Sequence, residues 1–143
     1  MKIRDLLATK GDAVEAIAAD ATIRDVVATL ARMRIGALVV SGSTGTVDGI
    51  ISERDVVRVL DTHGDGALHR RVGDEMSSPV TTCGPDDDVT TLMSLMTERR
   101  IRHLPVVEAG RLVGIVSIGD VVKSRVDQLE RDRRELLEYV SAR

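Results

Sequence analysis

The sequence predicts a mixed α/β (α+β) fold: two β-α-β-β-α repeats packed about a pseudo-twofold axis, with an extended C-terminal helix. Three observations predict it. The stretch Gly49-Ile50-Ile51-Ser52-Glu53-Arg54-Asp55-Val56-Val57 recurs as Gly114-Ile115-Val116-Ser117-Ile118-Gly119-Asp120-Val121-Val122. Each reads as a short apolar strand, then Ser, two variable residues, Asp, and an apolar helix start. The surrounding segments recur in the same order: Val14 matches Val80, a spacing of 66, and Gly49 matches Gly114, a spacing of 65. Such an internal repeat is a strong signal of architecture. Finally, a unit this small cannot bury its own apolar faces, so the two must pack together.

The elements follow in order. Ile3, Leu6 and Leu7 make residues 3–9 a short amphipathic lead-in, and Lys10-Gly11-Asp12 a turn. Val14 to Ile17 alternates and reads as a brief strand. Asp20 and Thr22 offer cap oxygens to a helix with apolar Ile23, Val26, Val27, Leu30 and Met33. Ile35 to Val40 reads as a buried strand, Ser41 to Gly45 as a hairpin, and Val47 to Ile51 as the returning strand. The helix after Ser52 carries Val56, Val57, Val59 and Leu60, and Asp61 to Gly66 reads as a loop. The second copy repeats this: a lead-in at Val72 to Met76, a strand at Val80 to Cys83, and a helix capped by Asp88 with Val89, Leu92, Met93 and Met96. A strand from Ile101 to Val106, a shorter hairpin and the Gly114 strand complete it. The organisation is therefore repeat one with its lead-in over 1–66, repeat two over 67–125, and a helical extension over 126–143. Val126, Leu129, Leu136 and Val140 make a 3-4 spaced seam interrupted by Arg133, which reads as a dimer contact.

Composition narrows the function. Apolar residues make up 43% of the 143, and there is one Tyr with no Phe or Trp, so the core is aliphatic and base stacking on aromatics is unavailable. Net charge is −3 with acids and bases interspersed, which disfavours nucleic acid. One cysteine excludes an internal disulfide and a cysteine zinc site. A charged N-terminus and the lack of any membrane-length apolar run predict a cytosolic protein.

The repeated Ser-x-x-Asp has two readings. As a capping box, the acid reaches back to the cap N–H. As a ligand turn, it sets a hydroxyl and free N–H groups at a helix N-terminus, where anions are favoured, with the Asp placed to accept from sugar hydroxyls beside a phosphate.

Ile-x-x-Leu-[Pro/Val]-Val followed by Gly-Ile-[Ile/Val]-Ser-x-x-Asp, present in register in both halves, resembles a tandem of CBS domains, the modules named from cystathionine β-synthase. Lys10-Gly11, Ile35-Gly36-Ala37-Leu38, Arg102-His103-Leu104-Pro105 and the two Ser-x-x-Asp turns are similar to the small stand-alone bacterial pairs. The resemblance implies adenosine-containing ligands (AMP, ADP, ATP, NAD or S-adenosylmethionine) in clefts between the repeats. It implies two nucleotide-binding clefts. In the first, Asp55 holds the ribose hydroxyls, Ser52 contacts a phosphate and Ile50 lines the adenine slot, with Val80, Thr81, Arg102, His103 and Pro105 from the other repeat. In the second, Asp120, Ser117 and Ile115 take those parts, facing Val14, Gly36, Ala37 and Val39. Val39 departs from the family's usual Pro. Because Arg102 and His103 replace Gly36 and Ala37, the Asp55 cleft alone gains a cation from the facing strand, unless Arg102 points into solvent from a strand edge; this cleft is expected to prefer the more highly charged ligand tail. Lys10 and Arg54 can charge either cleft, and nothing in the sequence aims them.

No nucleophile–base pair, Gly-Lys-Ser/Thr phosphate loop or carboxylate facing Asp55 or Asp120 is visible, so no catalytic residue is assigned and no enzyme is expected. His63 and His69 with Asp61 and Asp65 read as a solvated linker and not a metal site. Asp86 to Asp88 read as caps, Cys83 as an inert buried thiol, and Met76, Met93 and Met96 as core fillers. The expectation is a regulatory module that binds an adenine nucleotide, forms a homodimer and acts on an unknown protein effector, without nucleic acid or membrane. The alternative is an association scaffold whose turns are only caps.

Overall fold

The computed structural model describes residues 1–11, 13–42 and 44–142. Asp12 of the first expected turn, Ser43 of the first hairpin and the terminal Arg143 lie outside the described residues. Helix α1 (Ile3–Lys10) leads into β1 (Ala16–Ile17), α2 (Ile23–Met33), β2 (Ala37–Ser41), β3 (Val47–Ser52) and α3 (Glu53–His63). A 3-10 turn over Gly64–His69 and α4 (Val72–Glu75) precede α5 (Val89–Arg99), β4 (His103–Glu108), β5 (Arg111–Ser117) and α6 (Ile118–Ser141). In the first repeat β1 pairs parallel to β2, and β2 antiparallel to β3, with Val39 opposite Ile50. In the second, β4 and β5 pair antiparallel, with Pro105 opposite Ile115.

Local chemistry accounts for the helices. Thr22 caps α2 in a full capping box: its hydroxyl accepts from the Asp25 amide at 3.3 Å and Asp25 accepts from the Thr22 amide at 3.0 Å. Asp88 caps α5 by accepting from the Thr90 amide at 3.0 Å. Three expectations need correction. Of the strand expected over Val14 to Ile17 only Ala16–Ile17 forms, and Val80 to Cys83 forms none: Cys83 alone bridges to Val106, its amide donating to the Pro105 carbonyl at 3.0 Å. Pro79 and Pro85 bracket this stretch and bring no N–H to a ladder. The expected loop from Asp61 to Gly66 is instead the last turn of α3 and the start of the 3-10 turn, where buried Ala67 anchors the chain.

The two cores exchange their lead-ins. Leu92, Met96, Leu104, Val106, Val116 and Val121 enclose Ile3, Leu6 and Leu7 of α1. Ile23, Val26, Leu38, Ile51 and Val59 enclose Ala67 and Val72 from the segment preceding the second repeat. Backbone hydrogen bonds match across the pseudo-twofold: the Val89 amide donates to the Met1 carbonyl at 3.0 Å, and the Ile23 amide to the Arg70 carbonyl at 2.9 Å. The exchange explains the glycine opening each repeated motif. A Cβ at Gly114 would lie 2.8 Å from Leu7 Cδ2, and one at Gly49 2.9 Å from Met76 Cγ, each on the other repeat's side of the exchange.

Ile3 is fully buried in the second core. Ile3→Ala should cost about 2–5 kcal/mol in urea unfolding. Native-state hydrogen exchange should open α5 and β5 before α2; the reverse order would show that α1 does not serve the second core.

Candidate functional site

Both Ser-x-x-Asp turns form complete capping boxes. Ser52 Oγ accepts from the Asp55 amide at 3.4 Å, and Asp55 Oδ2 accepts from the Ser52 amide at 2.8 Å. Ser117 Oγ accepts from the Asp120 amide at 3.2 Å, and Asp120 Oδ2 from the Ser117 amide at 2.9 Å. The boxes start α3 and α6, and each also opens onto a cleft.

The first cleft, about 310 Å³, brings together Ile50, Ser52, Asp55, Arg102 and His103 of the residues singled out in sequence. It adds Gly36, Glu53, Arg54, Ser77, Arg100 and Ile101. Arg102 is exposed and lines this cleft, so its strand edge faces the Asp55 side. Val80, Thr81 and Pro105 do not line it. Pro105 is buried in the ladder opposite Ile115, and Val80 and Thr81 lie half-buried on the irregular stretch that failed to make a strand. Ser77 enters after α4: its backbone exchanges two hydrogen bonds with Ile50, at 2.9 and 3.1 Å, and its hydroxyl donates to Asp55 Oδ1 at 3.4 Å.

The second cleft, about 430 Å³, gathers Val14, Gly36, Ala37, Ile115, Ser117 and Asp120 as expected. Val39 lies in the core at 0% exposure, opposite Ile50, and lines neither cleft. Lys10, Arg34 and His103 are additions. Only the Asp55 cleft has a cation from the facing strand, Arg102, while the second cleft draws its charge from Lys10 and Arg34. Lys10, at the end of the exchanged α1, donates to Asp120 Oδ2 at 2.5 Å and to the Ile115 carbonyl at 2.7 Å. Sequence could not aim this side chain because the contact spans 110 residues. Burial raises the Asp120 carboxyl, but the Lys10 ammonium and the Ser117 amide and hydroxyl outweigh it and hold it below the usual carboxylate range.

Gly36 and His103 line both clefts. A Cβ at Gly36 would fall 2.7 Å from Glu53 Oε1 and 3.2 Å from His103 Cε1, so the hydrogen-only side chain lets the two clefts share one thin wall. Burial pushes the His103 imidazole below its ordinary range; Glu53 and Asp120 pull against this, and Lys10 and Arg102 add to it.

One group was missed entirely in sequence. Glu75, 6% exposed, accepts from Arg70 Nε at 2.8 Å and lies 3.3 Å from His63 Nε2. Arg58 donates to the Glu75 carbonyl at 2.8 Å and stands 3.7 Å from Asp55 Oδ1, tying this network to the cleft. Burial works against the Glu75 charge, and Arg70, His63 and Arg58 together hold its carboxyl below the ordinary range. His63, on an exposed stretch at the end of α3, thus stands beside the Glu75 carboxylate. Burial, with Asp87 adding, pushes the Cys83 thiol up to about 12, leaving it protonated at neutral pH. Among the described residues no group of three His, Cys, Asp or Glu is placed to hold a metal ion, and no helix is long and apolar enough to cross a membrane.

Fold and clefts together define a tandem-repeat module with two pseudo-equivalent sites between its halves. The CBS domain model matches residues 3–62 and 72–127, and the chain belongs to the CBS-domain family. Chains of this family are regulatory modules. A CBS-domain containing protein of Agrobacterium tumefaciens, ATU1752, superposes with a TM-score of 0.84 at 42% identity, over 87% of this chain and 99% of that one. The mitochondrial CBSX3 of Arabidopsis thaliana is 34% identical over 96% of this chain and 71% of its own length. The CBS domain pair of protein MJ0100, solved with 5′-methylthioadenosine and S-adenosyl-L-methionine, has the same fold with a TM-score of 0.74 at 22% identity, over 90% and 98% of the chains.

Replacing Lys10 by Met should let the Asp120 carboxyl rise towards its ordinary range, read by a carbon-13 NMR titration. A carboxyl held low in the folded state stabilises it above the unfolded-state value, and that stability is lost as pH falls through the folded one. The variant should therefore show a shallower acid loss of stability than the parent. An unmoved Asp120 titration would mean that Lys10 does not hold it.

Proposed function

We propose that this chain is an adenine-nucleotide-binding regulatory module of the cytosol, taking an adenosine-containing ligand of the AMP, ADP, ATP, NAD or S-adenosylmethionine class in the clefts between its repeats. One observation carries the reading: each Ser-x-x-Asp turn faces a cleft whose opposite wall comes from the other repeat. Asp55 faces Ile101, Arg102 and His103, and Asp120 faces Ile35, Gly36 and Ala37. A ligand seated there touches both halves, so its binding free energy favours one relative arrangement of them, which is a population shift. The ligands of the MJ0100 pair, a chain of the same fold, support the adenosine class. The proposed role is binding without chemistry, passed on to a protein effector.

In the same reading the module is a homodimer. Val122, Val126, Leu129, Leu136 and Val140 of α6 are 46–67% exposed and follow a 3-4 spacing interrupted at Arg133, an apolar seam that a second copy would cover. Leu129→Glu with Leu136→Glu should shift the mass measured by sedimentation from dimer to monomer; a parent already monomeric at tens of micromolar rejects the dimer.

A thermal-shift series against AMP, ADP, ATP, NAD and S-adenosylmethionine tests the ligand. A ligand at about a hundred times its dissociation constant adds about 2.7 kcal/mol, a rise of roughly 5–10 °C here. Asp55→Ala should abolish the shift from the first cleft and Asp120→Ala that from the second. The completeness of both capping boxes favours a second reading, an association scaffold whose turns need no ligand. An intact dimer that no adenosine compound stabilises at millimolar concentration would establish the scaffold.

A further inference from the structure

Two arginines at the rims of the clefts have no part in the reading above. Arg34 and Arg100 occupy the same place in the two repeats, the C-caps of α2 and α5. Both hold left-handed backbone, with φ of 55° in each. That region is costly for a residue with a Cβ, and glycine or asparagine ordinarily fills it at this cap.

Arginine is not needed there to end a helix. The cap amides bond to the carbonyls of Leu30 and Met96, bonds that glycine would make at less cost. Nor is it needed against the helix dipole, because Arg32 and Arg99 already place cations in the two last turns. Both side chains are exposed, and among the described residues neither takes part in a hydrogen bond or an ion pair. What each does have is a cleft. Arg34 lines the Asp120 cleft beside Lys10, and Arg100 lines the Asp55 cleft beside Arg54 and Arg102. Acids line them too, Glu15 in one and Glu53 in the other, while Asp55 and Asp120 are engaged by the cap amides of their own helices.

We propose that Arg34 and Arg100 are a matched pair of phosphate-binding residues, one per cleft, and that they select phosphate-bearing adenosine compounds over uncharged nucleosides and over the cationic sulfonium of S-adenosyl compounds. The inference rests on the nucleotide reading and narrows it. A guanidinium offers a planar fork of N–H donors that matches a phosphate, and the contact is charge-assisted. The same unfavourable backbone kept twice, with the same residue on it, is accounted for by a ligand contact and not by the helix it ends.

The test is calorimetric titration of AMP, adenosine and S-adenosylmethionine into the full chain, the Arg34→Gly/Arg100→Gly variant and the Arg34→Lys/Arg100→Lys variant. The parent should bind AMP at least roughly tenfold more tightly than adenosine. That preference should collapse in the glycine variant, whose melting temperature without ligand stays equal or rises, and survive in part in the lysine variant, which keeps the charge. The inference is overturned if the glycine variant retains the AMP-to-adenosine ratio, or if the parent binds S-adenosylmethionine as tightly as AMP. Adenosine binding without AMP preference in the parent sinks this inference and leaves the nucleoside site standing. Binding of none of the three overturns this inference, and the nucleotide reading falls with it only if ADP, ATP and NAD also fail to bind.

Discussion

Ile3 is buried not under the strands that follow it but among Leu92, Met96 and Leu104, and Val72 answers it in the core of the first repeat. Neither β-α-β-β-α unit has enough apolar surface of its own to close a core, so each borrows a helix from the segment preceding the other. The two halves are thereby tied by two symmetric sets of side chains and backbone hydrogen bonds. The borrowed segments also carry polar groups to the clefts. Helix α1 ends at Lys10, on Asp120, and the segment after α4 delivers Ser77 to Asp55. The packing that completes the cores is thus the packing that furnishes the sites.

The Ser-x-x-Asp turns show why a helix cap and a ligand turn need not compete. A carboxylate has acceptor capacity for several donors. Asp55 uses Oδ2 for the Ser52 amide and hydroxyl, while Oδ1 faces Ser77 and Arg58. The cap fixes the direction of the carboxylate, and preorganisation of this kind lowers the cost of binding. The two turns differ in their partners, the Lys10 ammonium on Asp120 and, on Asp55, the Ser77 hydroxyl with the Arg58 guanidinium beside it, so the sites are alike in backbone and unlike in the groups that hold the carboxylate.

The repeat is also broken where the two clefts meet. Gly36 and Arg102 are equivalent positions, as are Ala37 and His103. In the first repeat the small pair makes room, and in the second the large pair fills it. His103 consequently stands in the wall of both clefts, with Glu53 from one and Lys10 and Asp120 from the other acting on it. Charge placed in either cleft is felt at the same imidazole.

The sequence by itself determined what rests on neighbouring residues: the helices at Ile23–Met33, Glu53–His63 and Val89–Arg99, their caps, the strands of both hairpins and the pairing of two Ser-x-x-Asp turns. Apolar period and cap chemistry act within a few residues, and so they can be read along the chain. The cleft residues came instead from the resemblance of the repeated motifs to CBS pairs, and most of those named on the turns and facing strands line the two clefts. Tertiary structure alone decided the rest. Val80 to Cys83 has strand composition, but a strand needs a partner along its length, and only Cys83 finds one. Val39 and Pro105 pair across the ladder with the cleft residues Ile50 and Ile115 but are buried and line neither cleft, while their neighbours Leu38, Val40, Leu104 and Val106 turn into the two cores. Lys10, Ser77, Glu75 and the left-handed Arg34 and Arg100 reached their places through contacts far apart in sequence or through backbone angles, and no local pattern announces either.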